Sequence, residues 1–374
     1  MKKMLPCYSK TALTLLAGLT LFLGSCKKDD DSSFKEPEIS STKGVYMLCE
    51  GTYGSNNSDI SYYDISSGTT QKNYYKKVNG SNLGETANDL QRYGSKMYCV
   101  ITGIKGTAQS FVDVMDVATA KSIKRISFNS GNAGFCPRSI AFYQNKAYVS
   151  CYDNKVRRID TASLSIDGEV TLSEGLEGLA VANGKLYVAN SDHFQFVNGL
   201  KNVVSVINLS TFTKIKDIVV TYNPLKVAAT ATGNVYVIST GDYINVAPSL
   251  DIINSANDTK IQSSTGVDDY SVLSISGNKA LLTTDIYSTD ATVKNIDLST
   301  GKIGNKFISD ATIVTTFYGL TIDSFNNDVY VADANRYNST TGKAICFGAD
   351  GKIKFNFETA GLPQHAVFIY NYKK

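Results

Sequence analysis

The chain has 374 residues, which is long for one compact domain unless repeated units extend it. Lysine and arginine total 37 and aspartate and glutamate total 34, and removing the predicted leader with Lys2, Lys3 and Lys10 leaves 34 basic residues. This balance of charge argues against a nucleic-acid-binding groove.

Residues 1–25 are predicted to be a secretory signal peptide. The three lysines precede an apolar run of 12 residues, Ala12–Leu23, which is shorter than the ~20 residues that a membrane span requires. The run ends in Leu23-Gly24-Ser25-Cys26, an order that resembles a bacterial lipobox. The resemblance implies that Cys26 becomes the lipidated first residue of the mature protein. The alternative is an ordinary signal peptide followed by a chance cysteine.

Residues 26–43 are predicted to be a flexible tether. The segment begins Lys27-Lys28-Asp29-Asp30-Asp31 and shows no apolar periodicity, so it cannot bury enough surface to order itself. A charged run directly after the lipidated cysteine resembles the export signal of surface lipoproteins in Bacteroidota-type bacteria, which implies an outer-membrane protein facing the cell exterior. The alternative is a solvated linker on a protein that faces the periplasm.

Residues 44–374 contain seven similar units, each with four short β-rich runs. The second run of each unit has a tyrosine, or in one unit a leucine, between apolar residues, and the intervals between these positions range from 39 to 52 residues. The seven anchors are Tyr46, Tyr98, Tyr148, Tyr187, Tyr236, Leu281 and Tyr330. Repeats of this length with four strands each predict an all-β fold, a seven-bladed β-propeller.

The two ends of the repeat region complement each other. The first unit begins directly on its second strand at Gly44, whereas the chain ends with a spare strand that starts at His365. Pairing of the two would close the ring and remove its exposed edges. The shortest unit, Pro137–Leu172, joins its second and third strands with only Asp153-Asn154-Lys155.

The other units use longer loops at that point, and these loops lie on the same face as the links between blades. Length beyond what a turn requires indicates function there, because a tight turn would close the meander at a lower entropy cost. The loops carry aromatic and basic candidates for ligand contact, namely Tyr53, Phe194, Phe196, Tyr243, Tyr287, Arg336 and Tyr337. Rigid aromatic rings beside small polar residues suit a neutral ligand or a protein surface.

A second ring of candidates enters the first strand of each blade. Counting back two residues from the apolar position of each first strand gives Asn88, Arg138, Glu177, Leu225, Tyr270 and Tyr318, with Gln364 or His365 from the closing strand. These side chains can hold the polar edge of a ligand around the channel mouth. Equally, Arg138 and Glu177 come from adjacent blades and can simply pair.

The sequence gives little support for catalysis, and we expect a protein that is not an enzyme and has no cofactor. The mature chain has only two histidines, His193 and His365, and no Gly-x-Ser-x-Gly or phosphate-loop pattern. Its five remaining cysteines are odd in number and lack a Cys-x-x-Cys motif, which predicts packed strand positions and no metal site. A calcium site formed by Glu177, Asn88 and Asp269 remains as an alternative.

The strand motifs resemble those of a known family. Asn183-Gly-Lys-Leu-Tyr-Val-Ala-Asn and Asp328-Val-Tyr-Val-Ala-Asp are similar to the repeats of YVTN or YncE-like β-propellers, which include surface-layer and cell-surface proteins. Among such relatives, the chain looks most like surface lipoproteins that accompany TonB-dependent transporters, including a cobalamin-binding propeller. The resemblance implies a monomeric accessory to nutrient uptake that binds a corrinoid or a glycan. A surface or adhesion propeller and a lactonase-like or lyase-like propeller enzyme are the alternatives.

Overall fold

The computed structural model describes residues 38–192, 199–335 and 340–373. The compact unit covers Ile39–Lys374. Its first strand begins at Ile39, five residues before residue 44, where the sequence analysis places the start of the propeller. The predicted lipidation site Cys26 and the candidates Phe194, Phe196, Arg336 and Tyr337 lie outside the described residues.

The elements follow in chain order. The first blade contributes β1 (Ile39–Cys49), β2 (Asp59–Asp64) and β3 (Thr69–Gln71), followed by the helix α1 (Tyr74–Asn79). The second blade consists of β4 (Ala87–Tyr93), β5 (Lys96–Ile101), β6 (Phe111–Asp116) and β7 (Ser122–Ser127), followed by the hairpin β8 (Asn129–Ser130) and β9 (Ala133–Gly134). The third consists of β10 (Pro137–Tyr143), β11 (Lys146–Cys151), β12 (Lys155–Asp160) and β13 (Ser165–Thr171). The fourth consists of β14 (Leu176–Ala182), β15 (Lys185–Asn190), β16 (Val203–Asn208) and β17 (Thr213–Val219).

The remaining blades repeat the pattern. The fifth consists of β18 (Pro224–Ala229), β19 (Asn234–Ser239), β20 (Ser249–Asn254) and β21 (Thr259–Ser264). The sixth consists of β22 (Leu273–Ser276), β23 (Lys279–Thr284), β24 (Thr292–Asp297) and β25 (Lys302–Lys306). The seventh consists of β26 (Phe317–Ile322), β27 (Val329–Ala334), β28 (Thr341–Phe347) and β29 (Ile353–Ala360), and the chain ends with β30 (Pro363–Tyr372).

Seven four-stranded antiparallel sheets form the ring, which confirms the predicted all-β, seven-bladed propeller. The innermost strands of neighbouring blades contact one another all the way round, from β30 through β4, β10, β14, β18 and β22 to β26 and back to β30. The first sheet has the order β3-β2-β1-β30, so the last strand completes the first blade. Val45 pairs with Phe368 and Met47 with Ala366 in this closing ladder, as the sequence predicts.

The anchors of the repeats explain why the blades stack. The buried apolar side chains of the described residues form seven clusters, one between each pair of neighbouring blades. Each cluster contains one anchor, and all seven anchors are at most 2% exposed: Tyr46, Tyr98, Tyr148, Tyr187, Tyr236, Leu281 and Tyr330. A single blade cannot cover both of its faces, so the same buried ring must recur at every interface.

Tight turns close the face opposite the long loops. In the turn from β14 to β15, Asn183 and Gly184 both have positive φ, 47° and 67°. Two successive residues in this left-handed region form the type I′ turn that matches the twist of a hairpin. Asparagine and glycine are the residues that adopt it at the lowest cost, which is why the sequence signals the hairpin so clearly.

The one helix among the described residues is absent from the sequence prediction. The helix α1 follows β3 and inserts Tyr75, 1% exposed, into the cluster between the first two blades. The hydroxyl of Tyr75 donates to Asp113 at 2.6 Å and accepts from Arg125 at 2.7 Å. A six-residue helix is too short to show a helical apolar period in the sequence. The contacts of Tyr75 with the second blade stabilise it instead.

Candidate functional site

A cavity of about 960 Å³ opens where the innermost strands meet the long loops. Its wall combines residues along the inner strands, as far as Ser276 and Ile322 at the far ends of β22 and β26, with the residues that follow the second strands. Both sets reach the same end of every blade, because the first and second strands are antiparallel and adjacent. We call this end of the ring the mouth face.

Irregular pairing aims the ring of polar candidates into the cavity. In six of the seven blades the ladder between the first and second strands skips residues near the mouth face. The skipped residues include Asn88, Arg138, Glu177, Leu225, Tyr318, Gln364 and His365. A β-bulge turns a side chain away from the regular alternation of a strand, and here it turns each toward the channel. In the remaining blade, Tyr270 precedes β22 and also lines the cavity.

A glycine allows two neighbouring inner strands, β26 and β30, to approach each other closely at the mouth. A Cβ atom on Gly319, beside the skipped Tyr318, would lie 1.8 Å from the backbone oxygen of Gln364. No neighbouring backbone atom can tolerate that separation. The inner strands β26 and β30 therefore meet at the mouth only because residue 319 has no side chain.

Arg138 is the centre of one hydrogen-bonded group, as the alternative of simple pairing anticipates. Its Nε donates to Glu177 at 3.1 Å, and its Nη1 donates to Asn88 at 2.5 Å and to the Thr102 hydroxyl at 3.4 Å. The guanidinium carbon lies 4.9 Å from the centre of the Tyr152 ring. Residues from three adjacent blades thus hold one side chain in place.

The charge of Arg138 is compensated inside this group. Burial disfavours the charged guanidinium, but the nearby Glu177 carboxylate outweighs this and raises the pKa of Arg138. The second oxygen of Glu177 accepts a hydrogen bond from the Tyr152 hydroxyl, whose pKa is raised well above its ordinary value by burial. Arg138 and Glu177 therefore form an ion pair with no net charge, and the phenol of Tyr152 beside them is protonated.

Glu50 is the centre of a second group, and the sequence analysis missed it. Its Oε2 accepts hydrogen bonds from the Tyr318 hydroxyl and from Gln364 Nε2, the latter at 2.5 Å. Burial and the charge of Glu50 raise the pKa of Tyr318, so this phenol stays protonated. Asn88, Arg138 and Glu177 thus meet on one side of the mouth, and Tyr318 and Gln364 on another.

The signal that would have found Glu50 is its distance from the anchor. The residue four positions after the anchor directly follows the second strand at the mouth face. In five blades this residue lines the cavity: Glu50, Thr102, Tyr152, Ser191 and Thr240.

Three tyrosines with exposed rings form a rim above the polar groups. Tyr53, Tyr243 and Tyr270 line the cavity, and their exposed fractions are 60%, 58% and 60%. Tyr287 lies beside this rim, where its hydroxyl donates to Asp269 at 2.7 Å. All four were candidates from the sequence.

The loop that carries Tyr243 is held in one shape. Asp242 Oδ1 accepts hydrogen bonds from the backbone N–H groups of Ile244, Asn245 and Val246, at 3.0, 2.7 and 2.6 Å. Tyr243 itself has a φ of 62°, and its hydroxyl accepts a hydrogen bond from Thr240 at 3.0 Å. The ring is therefore preorganised for a contact.

His365 lies in the wall near the bulge of β30. Its burial lowers its pKa, so the imidazole is neutral near pH 7. Asp89 and Lys226 are the charged groups that act on it, and both also line the cavity. The carboxylate of Asp89 accepts hydrogen bonds from the Ile140 N–H and the Gln91 amide, each at 3.0 Å.

The proposed calcium ligands are engaged with protein partners. Glu177 and Asn88 both bind Arg138, and Asp269 accepts from Tyr287. Within the described ranges, histidine, cysteine, aspartate and glutamate nowhere form a group of three or more that could hold a metal ion. The five cysteines of the repeat region are free thiols, all buried: Cys49, Cys99, Cys136, Cys151 and Cys346.

The described helix, α1, is too short to span a bilayer, and the described part of the chain contains no other candidate.

The mouth face as a whole is suited to binding a molecule. Aromatic faces at the rim provide apolar contact area, and the polar groups below provide fixed hydrogen-bond partners.

Comparison with known proteins agrees with the fold. The chain is similar in structure to the hydrazine synthase of Kuenenia stuttgartiensis, with 15% identity, a TM-score of 0.54, and coverage of 69% of this chain and 74% of that one. It is also similar to the computationally designed Ika8 protein, with 15% identity, a TM-score of 0.51, and coverage of 86% and 90%. At these identities the similarity concerns the fold alone.

No curated protein matches the sequence. The family model described as a domain of unknown function, DUF5074, matches residues 43–342, which is most of the propeller. The chain therefore belongs to the DUF5074 family.

Proposed function

We propose that this protein is a ligand-binding lipoprotein of the outer-membrane surface that serves a TonB-dependent uptake system. The observation that carries the binding part is the cavity of about 960 Å³ with three exposed tyrosines above a fixed polar ring. Exposed apolar surface that is grouped around one opening is typical of an interaction site. Their position at a concave, polar-walled opening favours a small molecule over a flat protein surface.

The chemistry of the mouth favours a large and neutral ligand. The volume lies at the upper end of ordinary small-molecule sites, which span roughly 300–1,000 Å³. The charges of Arg138 and Glu177 compensate each other, so the pair exerts little net attraction on an ion. A corrinoid, with its broad ring and its amide groups, fits these requirements, and a glycan is the second candidate.

The anchor and the tether support a place on the membrane. If Cys26 is lipidated, the 12 residues from Lys27 to Glu38 separate the lipid from the first strand. An extended segment of this length reaches at most about 40 Å. The propeller would stay close to the membrane, where a transporter could receive the ligand.

Calorimetric titration of the purified chain with cyanocobalamin and with a panel of glycans tests the binding proposal. We expect heat of binding with one class and recovery of the ligand unchanged, since the protein is proposed to bind without turnover. Tyr270→Ala should weaken binding about tenfold, because a rigid aromatic contact contributes on the order of 1 kcal/mol. Tyr372→Ala is the matched control, since its ring is also exposed but lies at the far end of β30. Absence of heat with every probe would overturn the proposal.

The location requires a separate experiment. Metabolic labelling with a radioactive fatty acid should mark the wild-type chain and not the Cys26→Ser variant. Protease added to intact cells should digest the wild-type chain. Labelling without digestion would retain the anchor but place the protein on the periplasmic side, and absence of labelling would contradict the lipid anchor.

A further inference from the structure

Two groups at the mouth keep hydrogen-bonding capacity that the described residues do not use. Glu50 binds Tyr318 and Gln364 through Oε2, and no described residue binds its Oε1. Arg138 donates through Nε and Nη1, and no described residue accepts from its Nη2. A guanidinium has five N–H groups, two of them on Nη2, and a carboxylate oxygen accepts up to two hydrogen bonds.

Both groups face the same cavity. Glu50 and Arg138 line it, and only 20% of the Arg138 side chain is exposed to solvent. The charge of Glu50 contributes to the raised pKa of Arg138, and the charge of Arg138 acts on Tyr318, the partner of Glu50. A donor pair and an acceptor thus lie in the wall of the same cavity.

We infer that the mouth recognises a primary carboxamide, whose carbonyl accepts from Arg138 Nη2 and whose N–H donates to Glu50 Oε1. This inference rests on the proposed binding function and names the group by which the ligand is held. The two bonds would satisfy partly buried polar atoms that otherwise lack a protein partner.

Other polar groups fit the pair less well. A carboxylate can accept from Arg138 but is repelled by Glu50. An ammonium group can donate to Glu50 but is repelled by Arg138. A tertiary amide offers a carbonyl without an N–H, so it leaves the Glu50 oxygen without a donor. A primary carboxamide is neutral and carries a donor and an acceptor on separate atoms, as the two protein groups require.

The small aromatic amides offer suitable probes, because their rings can contact the rim tyrosines. Nicotinamide carries the primary carboxamide, nicotinate replaces it with a carboxylate, and N,N-diethylnicotinamide lacks the N–H. For ligands of this size we expect a Kd on the order of millimolar, which NMR titration detects. We expect nicotinamide to bind the wild-type chain at least about fivefold more tightly than the other two, a difference of about 1 kcal/mol.

The Glu50→Gln variant should reverse part of this preference. The glutamine carbonyl can still accept from Tyr318 or Gln364, whereas its amide now presents a donor to the cavity and no negative charge. Affinity for nicotinamide should fall and affinity for nicotinate should rise, so that their ratio changes about tenfold or more. Glu358→Gln is the matched control, because its side chain is 76% exposed and lies in the outer strand β29.

The outcomes separate this inference from the proposed function. Equal binding of the three probes to the wild-type chain, or no binding of nicotinamide, would overturn the carboxamide inference without any variant. Cyanocobalamin or glycan binding that accompanies such a result would leave the proposed function intact. The expected ranking of probes without binding of those larger ligands would support the carboxamide site and contradict the ligand class proposed above.

Discussion

The two ends of the strand β2 carry the same residue in opposite circumstances. Asp59 begins the strand at the mouth face, where it is buried, and its Oδ1 accepts from the N–H groups of Ile60 and Tyr75 at 2.7 and 3.1 Å. Burial raises its pKa to about 6. Asp64 ends the strand at the opposite face, where hydrogen bonds from Ser66 and Ser67 lower its pKa to about 2. Ionisation of Asp59 therefore weakens the fold, whereas ionisation of Asp64 stabilises it.

The same contrast extends around the ring. At the opposite face, Asp116, Asp160, Asn208 and Asp297 each accept a hydrogen bond from a backbone N–H two or three residues ahead and so close their own turns. At the mouth face, Glu50 and Glu177 turn inward and bind side chains from other blades. These polar residues of the opposite face stabilise their own turns, whereas Glu50 and Glu177 connect different blades around the cavity.

The largest effect should come from breaking the charge pair at the mouth. Arg138→Met removes the cation and leaves Glu177 buried without it, so the free energy of unfolding should fall by about 3–5 kcal/mol. Urea denaturation measures the change. The matched control is Lys72→Met, which breaks the exposed pair with Glu358 and should cost no more than about 1 kcal/mol.

A second variant keeps this prediction independent of packing losses. Adding Glu177→Gln to Arg138→Met removes the uncompensated charge, so part of the lost stability should return. Equal costs for the two single variants at Arg138 and Lys72 would contradict the contrast between the faces.

The second prediction concerns a substitution that should raise the free energy of unfolding, by an amount that depends on pH. Because the pKa of Asp59 is raised to about 6, its ionisation weakens the fold as pH rises from about 4 to about 6. Asp59→Asn keeps an oxygen for the N–H groups of Ile60 and Tyr75 and carries no charge. The variant should therefore be more stable than the wild type by about 3 kcal/mol near pH 8, with the difference shrinking toward zero below about pH 4.

Asp64→Asn is the matched control on the same strand. The lowered pKa of Asp64 contributes stability that is present above its unfolded pKa and lost as pH falls toward about 2. This variant should be less stable than the wild type at neutral pH. Thermal unfolding as a function of pH checks both, and a shift of the same sign in the two variants would show that the environments do not differ as described.

The architecture was predictable from the sequence because it repeats one physical requirement. Every blade interface needs a large buried side chain at the same place, so Tyr46, Tyr98 and their equivalents recur at readable intervals. The closing strand was predictable for a related reason, since a unit without its first strand and a spare strand at the end complete each other. Both features follow from the local residue pattern of each unit and from the number of strands in the repeats.

Features set by a single tertiary contact were not predictable. The helix α1 depends on Tyr75 reaching Asp113, 38 positions further along the chain. The role of Glu50 depends on Gln364, which only ring closure brings near. Counting along the repeats placed Asn88, Arg138 and Glu177 at equivalent positions and offered the pair of Arg138 with Glu177 as an alternative, but only the structure shows that Arg138 also binds Asn88.

The aromatic rim should separate binding from stability. Tyr53 is 60% exposed, so Tyr53→Ala should change the free energy of unfolding by less than about 0.5 kcal/mol. Affinity for the ligand found by calorimetry should nevertheless fall about tenfold, because the ring face contacts it. Tyr53→Phe is the control that keeps the ring, and it should retain most of the affinity. A loss with phenylalanine as large as with alanine would instead point to the hydroxyl.

The smallest effect should come from the opposite face and leave binding unchanged. Asn208 Oδ1 accepts from the Ser210 N–H at 2.8 Å and from the Ser210 hydroxyl at 2.7 Å in the turn between β16 and β17. Asn208→Ala removes this acceptor, so urea denaturation should show a loss of about 1 kcal/mol. Asn208→Asp keeps the acceptor and should restore the stability. Because the turn lies at the far end of its blade from the cavity, calorimetry should give the wild-type affinity for both variants, and a weaker affinity would mean that the two faces are coupled through the blade.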